Sequence, residues 1–238
     1  MILKAKGHTA EWKTNETGHW KECECGYKAA IASHAIGDWV TGKKATAAAD
    51  GIMNRECTAC HYVMETAKIS HIAGVKLGAV KYTYSGSVKT PSVKVTDADG
   101  NVLVKDTDYS VAYPTGRKAV GKYTVKIVFK GNYEGTKSFS FTIKPKTAKI
   151  KSLTATSRKL TVKAATKVSA TGGTVYQIAY KQKGTSTWKY TTTTSYYKTI
   201  KSLKKGKQYY VKMRAYRKSG TTRYYGSWST VKLSKAVK

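Results

Sequence analysis

The last 104 residues of this 238-residue chain, Gly135 to Lys238, hold no Asp, no Glu and no His. A Ser/His/Asp arrangement or a pair of catalytic carboxylates is therefore excluded from that stretch, because its acids and bases are missing. Proline is scarce at 3 residues, and Phe also stands at 3 against 18 Tyr. No run of about 18 apolar residues occurs, so no segment reads as a membrane-spanning helix. Residues 1–30 lack the apolar stretch of a secretory signal, so an exported origin implies a fragment of a longer chain. No Gly-rich phosphate loop, dinucleotide fingerprint, sortase-type anchor or Arg-Gly-Asp tripeptide is found. The expectation is that this chain is not an enzyme.

What is present is positive charge. Lys and Arg number 44 against 13 Asp and Glu, a net charge of +31. Only 6 of the 44 are Arg. Arg makes forked contacts to phosphate and carboxylate, whereas Lys is a hydrated point charge, so the excess suits diffuse attraction to a polyanion. The acids are uneven: eight lie between Glu11 and Glu65, five between Asp97 and Glu134. The stretch from Gly135 onward sets 25 Lys and Arg against none. A merely solvated surface would carry the same signature.

Three zones follow from composition, and the expected fold class is mainly β. Residues 1–74 contain all four Cys and all five His and read as a small Cys/His-rich β module. Residues 75–145 read as short strands. Tyr123, Val125, Ile127 and Phe129 alternate with Thr124, Lys126 and Val128, Phe139, Phe141 and Ile143 repeat the period, and Tyr109, Val111 and Tyr113 make a third strand. Val93 and Val95 precede Asp97-Ala98-Asp99-Gly100-Asn101, and Val102-Leu103-Val104 follows, which is a hairpin signal. Asp97 and Asp99 resemble part of a calcium loop, but the later Glu and flanking helices are lacking, so a turn is expected. Asp106 and Asp108 read as loop residues.

Residues 147–238 alternate again, at Leu160 and Val162, at Tyr176, Ile178 and Tyr180, and at Tyr209, Val211, Met213 and Ala215. Turns are expected at Gly172-Gly173, Lys183-Gly184 and Lys204-Lys205-Gly206. Strands with turns at this spacing predict a β-sandwich. Strand alternation turns Tyr210, Lys212, Arg214 and Tyr216 outward, beside Gln177, Ala179 and Lys181 of a neighbouring strand. Lys181, Tyr210, Lys212, Arg214 and Tyr216 are thus the candidate binding surface, set against a plain solvated face.

Leu203-Lys-Lys-Gly206-Lys-Gln-Tyr209-Tyr-Val211-Lys-Met213-Arg-Ala215 resembles the E–F corner and F strand of a fibronectin type III domain. The resemblance implies that the Tyr209 hydroxyl bonds back to upstream backbone. Val175–Tyr180 is similar to strand C, and Tyr225-Gly226-Ser227-Trp228-Ser229 to the lead into strand G. Ala164-Ala165 stands where that family usually carries a core Trp, leaving Trp188 or Trp228 to fill the core. Tyr82-Thr-Tyr84-Ser-Gly86, Pro91-Ser-Val93, Gly100-Asn101, Asp108-Tyr109, Gly121-Lys-Tyr123 and Gly131-Asn-Tyr133-Glu-Gly135 are similar to bacterial Ig-like repeats. Those repeats occur in tandem on Gram-positive surface proteins, which implies two tandem sandwiches, Ig-like over 75–145 and fibronectin type III-like over 147–238.

The first zone carries the most specific chemistry. Cys23-Glu24-Cys25-Gly26 and Cys57-Thr58-Ala59-Cys60-His61 each offer two sulfurs from one turn, so Cys23, Cys25, Cys57 and Cys60 are the candidate ligands of one structural zinc ion. His61 stands where the second turn would usually place Gly. A competing set is His19, Cys23, Cys25 and His34. Disulfides are the third alternative, with Cys25–Cys57 or Cys23–Cys60 expected because a C-x-C bridge is strained. A catalytic zinc would need an open position and a nearby base, and is not expected. Gly18-His-Trp20 with its cysteines, then Thr46, Gly51 and Arg55-Glu-Cys57, resembles small cysteine-pair repeats upstream of Ig-like modules in Gram-positive proteins.

The expected function is a non-catalytic segment of a secreted or cell-surface bacterial protein. It would be a monomeric spacer, adhesion or binding module for an anionic cell-wall polymer, a glycan, or a host or neighbour surface protein. The alternatives are an accessory region of a larger extracellular enzyme acting on carbohydrate or peptide, and a non-specific nucleic-acid binder.

Overall fold

Strand-forming residues with scarce proline give an all-β chain in this computed structural model, which describes residues 9–168 and 174–238. The expected turn at Gly172-Gly173 lies outside the described residues. The chain divides into two compact units: residues 1–76, 93–111 and 127–137 form one, and residues 77–92, 112–126 and 138–238 the other. No described helix is long and apolar enough to cross a membrane.

In the first unit, β1 (Glu11–Thr14) and β2 (His19–Glu22) form an antiparallel hairpin. Asn15 closes it, its Oδ1 accepting from the backbone N–H groups of Thr17 and Gly18. β3 (Ile36–Lys43), β4 (Gly51–Cys57) and β5 (Val63–Ile69) make a three-stranded antiparallel sheet. β6 (Ile72–Leu77) pairs elsewhere.

The middle stretch supplies β7 (Lys81–Thr83), β8 (Val93–Asp97), β9 (Tyr109–Ala112), β10 (Gly121–Phe129) and β11 (Thr136–Lys144). β6 pairs with β8 in the first unit. In the second unit β7 runs parallel to β11. The expected alternation holds: Val125, Ile127, Phe129, Phe141 and Ile143 are all buried. The Asp97 carboxylate accepts from the backbone N–H and side-chain amide of Asn101, and Gly100 sits at φ +88°, so this segment is the expected turn. Val102–Val104 departs from expectation. It makes the isolated bridge Thr96 to Val102, with the Leu103 N–H donating to the Val95 carbonyl at 3.0 Å, while the Val104 N–H turns to the Asp108 carboxylate at 2.7 Å.

The rest of the second unit is a β-sandwich. One sheet has β12 (Ile150–Thr156), β13 (Lys159–Ala164) and β16 (Tyr197–Ile200), in the order β12-β13-β16. The other has β14 (Val175–Gln182), β15 (Lys189–Thr193), β17 (Tyr209–Ser219), β18 (Thr222–Tyr225) and β19 (Lys232–Leu233). It runs β15-β14-β17-β18, with β19 also on β17. Leu160 and Val162 from one sheet meet Ile178, Val211 and Met213 from the other, all fully buried. Tyr176 joins them, its hydroxyl accepting from the Val168 N–H at 2.7 Å. The core is therefore filled by aliphatic residues, Met213, Tyr176 and Tyr209. Trp188 and Trp228, expected as fillers, are only partly buried, because they pack on basic side chains of the outer face.

Candidate functional site

The Cys/His zone gathers four donors from two separate pieces of chain. His19 opens β2 and is buried, while His34 lies in the connection to β3. Cys57 closes β4, fully buried, and Cys60 follows in the turn to β5. That turn is held by the His61 N–H donating to the Cys57 carbonyl at 3.0 Å. His61 adopts φ +58°, the left-handed conformation that Gly would take more cheaply, so the turn forms despite the missing glycine.

The His19, His34, Cys57 and Cys60 donor atoms all lie within 4.8 Å of one another. His19 Nδ1 is 3.4 Å from His34 Nδ1 and 3.6 Å from Cys57 Sγ. Cys60 Sγ is 3.5 Å from His34 Nδ1. A tetrahedral zinc ion, with bonds of about 2.05 Å to nitrogen and 2.3 Å to sulfur, sets N–N edges of about 3.3 Å and N–S edges of about 3.6 Å. The three separations therefore fit one ion. His34 Nε2 lies 2.8 Å from the Asn15 carbonyl, which can only accept, so Nε2 carries the hydrogen and Nδ1 of the neutral ring keeps its lone pair for the cluster. The His34 ring also stacks on Tyr62, 4.8 Å between centroids, and Trp12 packs edge-on against His19.

Burial works to raise the Cys57 thiol, but backbone hydrogen bonds at Ala59, Cys60 and Ala35, with one from His34, bring it from its ordinary 9.0 to about 5. Cys60 is pushed up, first by burial.

Cys23 and Cys25 are bonded to each other as a disulfide. The expected Cys25–Cys57 and Cys23–Cys60 pairings do not form. The turn that brings the Gly26 N–H to the Cys23 carbonyl leaves the two Cα atoms 5.2 Å apart, inside the disulfide range. Of the four cysteines read together from sequence, Cys57 and Cys60 join His19 and His34, and Cys23 and Cys25 are spent on one another.

The second candidate site is the outer face of β14 and β17. Register places Lys181 opposite Tyr210, Ala179 opposite Lys212, Gln177 opposite Arg214 and Val175 opposite Tyr216. The cross-strand grouping expected from sequence is therefore seen, though the face is not bare. The Ser229 hydroxyl accepts from the Met213 N–H at 3.0 Å, and the Ser229 N–H reaches the Met213 carbonyl at 2.8 Å. These bonds pin the Trp228 segment along β17. The Arg214 guanidinium lies 3.7 Å from the Tyr225 ring centre and 4.3 Å from that of Trp228, with its Nε donating to Gln177 at 2.8 Å. Lys212 Nζ stands 4.5 Å from Trp188 and 4.9 Å from Trp228, and Lys181 Nζ 5.2 Å from Trp188. Cations and rings thus alternate across the sheet. Burial, above all, lowers the Arg214 pKa from its ordinary value.

Tyr216 and Ala179, expected to face solvent, are buried at 9% and 0% exposure. Tyr225 packs on Tyr216, 5.2 Å between centroids. Sequence reasoning missed Trp188, Trp228 and Tyr225 as members of this face.

The Tyr209 hydroxyl accepts from the Lys204 N–H at 3.0 Å, the backward bond expected at this corner. No protein-family profile matches the chain, and no curated protein matches it. Among solved structures it is similar to one titled as a myokine structure, at 17% identity over 40% of this chain and 97% of that chain, TM-score 0.30. It is also similar to one titled as a cytokine receptor complex, at 13% identity over 69% of this chain and 97% of that chain, TM-score 0.44. At those scores neither likeness bears on what this chain does.

Proposed function

We propose that this chain is a non-catalytic modular segment of a secreted or cell-surface bacterial protein, and that its terminal sandwich presents a basic aromatic face to an anionic cell-wall polymer or glycan. The observation that carries this is the alternation of Lys181, Trp188, Lys212, Trp228, Arg214 and Tyr225 on one sheet face, in a stretch with no acidic residue. Rings hold the cations in place, so less side-chain freedom is lost on binding. Aromatic faces also suit the apolar faces of sugar rings.

In this proposal residues 147–238 are a fibronectin type III-like module. The three-stranded sheet set against the β15-β14-β17-β18 sheet supports this, as does the corner bond of Tyr209. Residues 75–145 are the Ig-like module and residues 1–74 the cysteine-pair module, carrying one structural zinc ion at the four-donor cluster. An exported location is supported by the Cys23–Cys25 disulfide, a bond that persists in oxidising surroundings.

The test is titration of the protein with a teichoic-type polyphosphate, a sulfated glycan, a neutral glycan and duplex DNA over a series of salt concentrations. Binding to the anionic wall polymer or glycan should fall with salt, and K212Q/R214Q should weaken it by about tenfold. Duplex DNA binding tighter than every other polyanion, or unchanged binding by the double variant, overturns the proposal.

A further inference from the structure

Residues 9–68 bury little apolar surface of their own; the one buried large apolar side chain of β5, Ile69, stands at its end, and Ala45 bridges to Tyr133. The buried residues of 9–68 are Gly18, His19, Cys23, Ala45, Gly51 and Cys57. Most large apolar side chains of the same stretch stand in solvent, Trp12 43% exposed, Ile31 56% and Trp39 42%, while Trp20, Met53 and Tyr62 are half-buried. β1 buries no side chain, and β2 buries only that of His19. A hairpin of four-residue strands is marginal by itself in water. Its histidine nevertheless reaches the end of β4, where Cys57 meets it.

Resting on the zinc part of the proposed function, we infer that one tetrahedral metal ion held by His19, His34, Cys57 and Cys60 is the clamp joining the β1–β2 hairpin to the β3–β5 sheet, so that residues 9–68 keep their fold only with metal bound. The geometry carries this in three steps. Three donor separations match the edges of one tetrahedron. Two donors come from the hairpin and its exit, two from the β4–β5 turn, so the ion adds to a link otherwise made by the Thr58 N–H bond to the Ala35 carbonyl and the His34–Tyr62 stack. The orientation of His34 is already set by the Asn15 carbonyl of the hairpin loop, as outer partners of metal-bound histidines set theirs. Where a core is lacking, metal-binding free energy becomes folding free energy. Four closed protein donors leave no open position, so the ion serves structure and not hydrolysis.

The experiment uses the full chain, stripped of metal under conditions that keep the Cys23–Cys25 disulfide, and titrated with Co2+ as a visible stand-in for Zn2+. One equivalent should bind, with the absorption of a tetrahedral site and a thiolate charge-transfer band. H19A and C57S should weaken binding by about a hundredfold, and C23S/C25S should leave the band in place. Amide exchange is followed in the same samples. Residues 9–68 should lose protection when stripped and regain it with Zn2+, while residues 147–238 stay protected throughout and report that each variant remains folded.

Loss of the band in C23S/C25S with retention in H19A overturns the donor set. One equivalent bound with unchanged protection of residues 9–68 overturns the clamp but leaves the zinc site standing. No binding by the wild-type chain overturns both.

Discussion

Residues 9–68 and residues 147–238 reach order by opposite means. The terminal stretch buries Leu160, Val162, Tyr176, Ile178, Val211 and Met213 between two sheets and needs no cross-link. The first stretch buries two cysteines, a histidine, an alanine and two glycines, and carries a disulfide and a four-donor cluster instead. Small domains that cannot remove enough apolar surface from water are held by disulfides or metals. The same contrast explains where charge can accumulate. A packed core leaves the outer face free to be wholly basic, while the cysteine zone keeps acids, Glu65 paired with Arg55 and Glu56 beside the His61 ring.

The comparison can be broken in several ways. Chelation followed by thermal unfolding should remove the whole transition of the first stretch and leave that of the terminal sandwich; a shared loss would end the contrast. Next in size, L160A should cost about 2–5 kcal/mol in urea unfolding, as a fully buried side chain leaves a cavity. V40A, at a position 46% exposed, should stay within about 0.5 kcal/mol. Equal effects would mean that both stretches are held by packing. Tyr209→Phe removes the acceptor for the Lys204 N–H and should lower sandwich stability by about 1 kcal/mol.

Smaller still, H61G relieves a left-handed non-glycine residue and should stabilise the first stretch by about 0.5–1 kcal/mol, read from its metal-bound unfolding midpoint. The smallest effect is electrostatic. Hydrogen bonds from the His71 ring, first, and backbone hold the Asp50 carboxyl below its ordinary value. The folded state therefore binds that proton less readily than the unfolded chain. The contribution is complete above the unfolded carboxylate value and is lost as pH falls through the lower folded value. Carboxyl NMR titration should show the depressed Asp50 midpoint, and D50N should flatten the acid limb of the first unit's stability.

Much of the terminal sandwich was legible in the sequence. Alternation at Leu160 and Val162 and at Tyr209, Val211 and Met213 named the core face, because a strand turns successive side chains to opposite sides. The outward grouping of Lys181, Tyr210, Lys212 and Arg214 came from the same period. What alternation does not report is what lies on top. Trp188 sits between the Lys183-Gly184 turn and β15, and Trp228 on an irregular segment pinned by Ser229, so neither belongs to a period that would reveal its direction. Tyr216 is buried for the same reason, under Tyr225 from the next strand.

In the cysteine zone, residue types were legible and partners were not. Paired cysteines in tight turns pointed to metal or disulfide chemistry, and both turns exist, at Gly26 and at His61. Cys57 lies 38 residues from His19, and no local rule relates such distant positions. Which cysteines face which histidines depends on how the hairpin folds back toward the β4–β5 turn.

By itself the sequence determined that the chain is mainly β, that the last 104 residues lack the acids and bases of ordinary hydrolytic chemistry, and that their charge is wholly positive. These are matters of composition and of a two-residue period, which need no partner in space. Only the tertiary structure decided that Cys23 takes Cys25, that His19 and His34 converge on Cys57 and Cys60, and that the tryptophans stack on cations outside the core. The last two are contacts between segments far apart in the chain, set by the closure of loops and the packing of strands and invisible to spacing along the backbone, whereas the Cys23–Cys25 bond is local and was decided by the conformation of one turn.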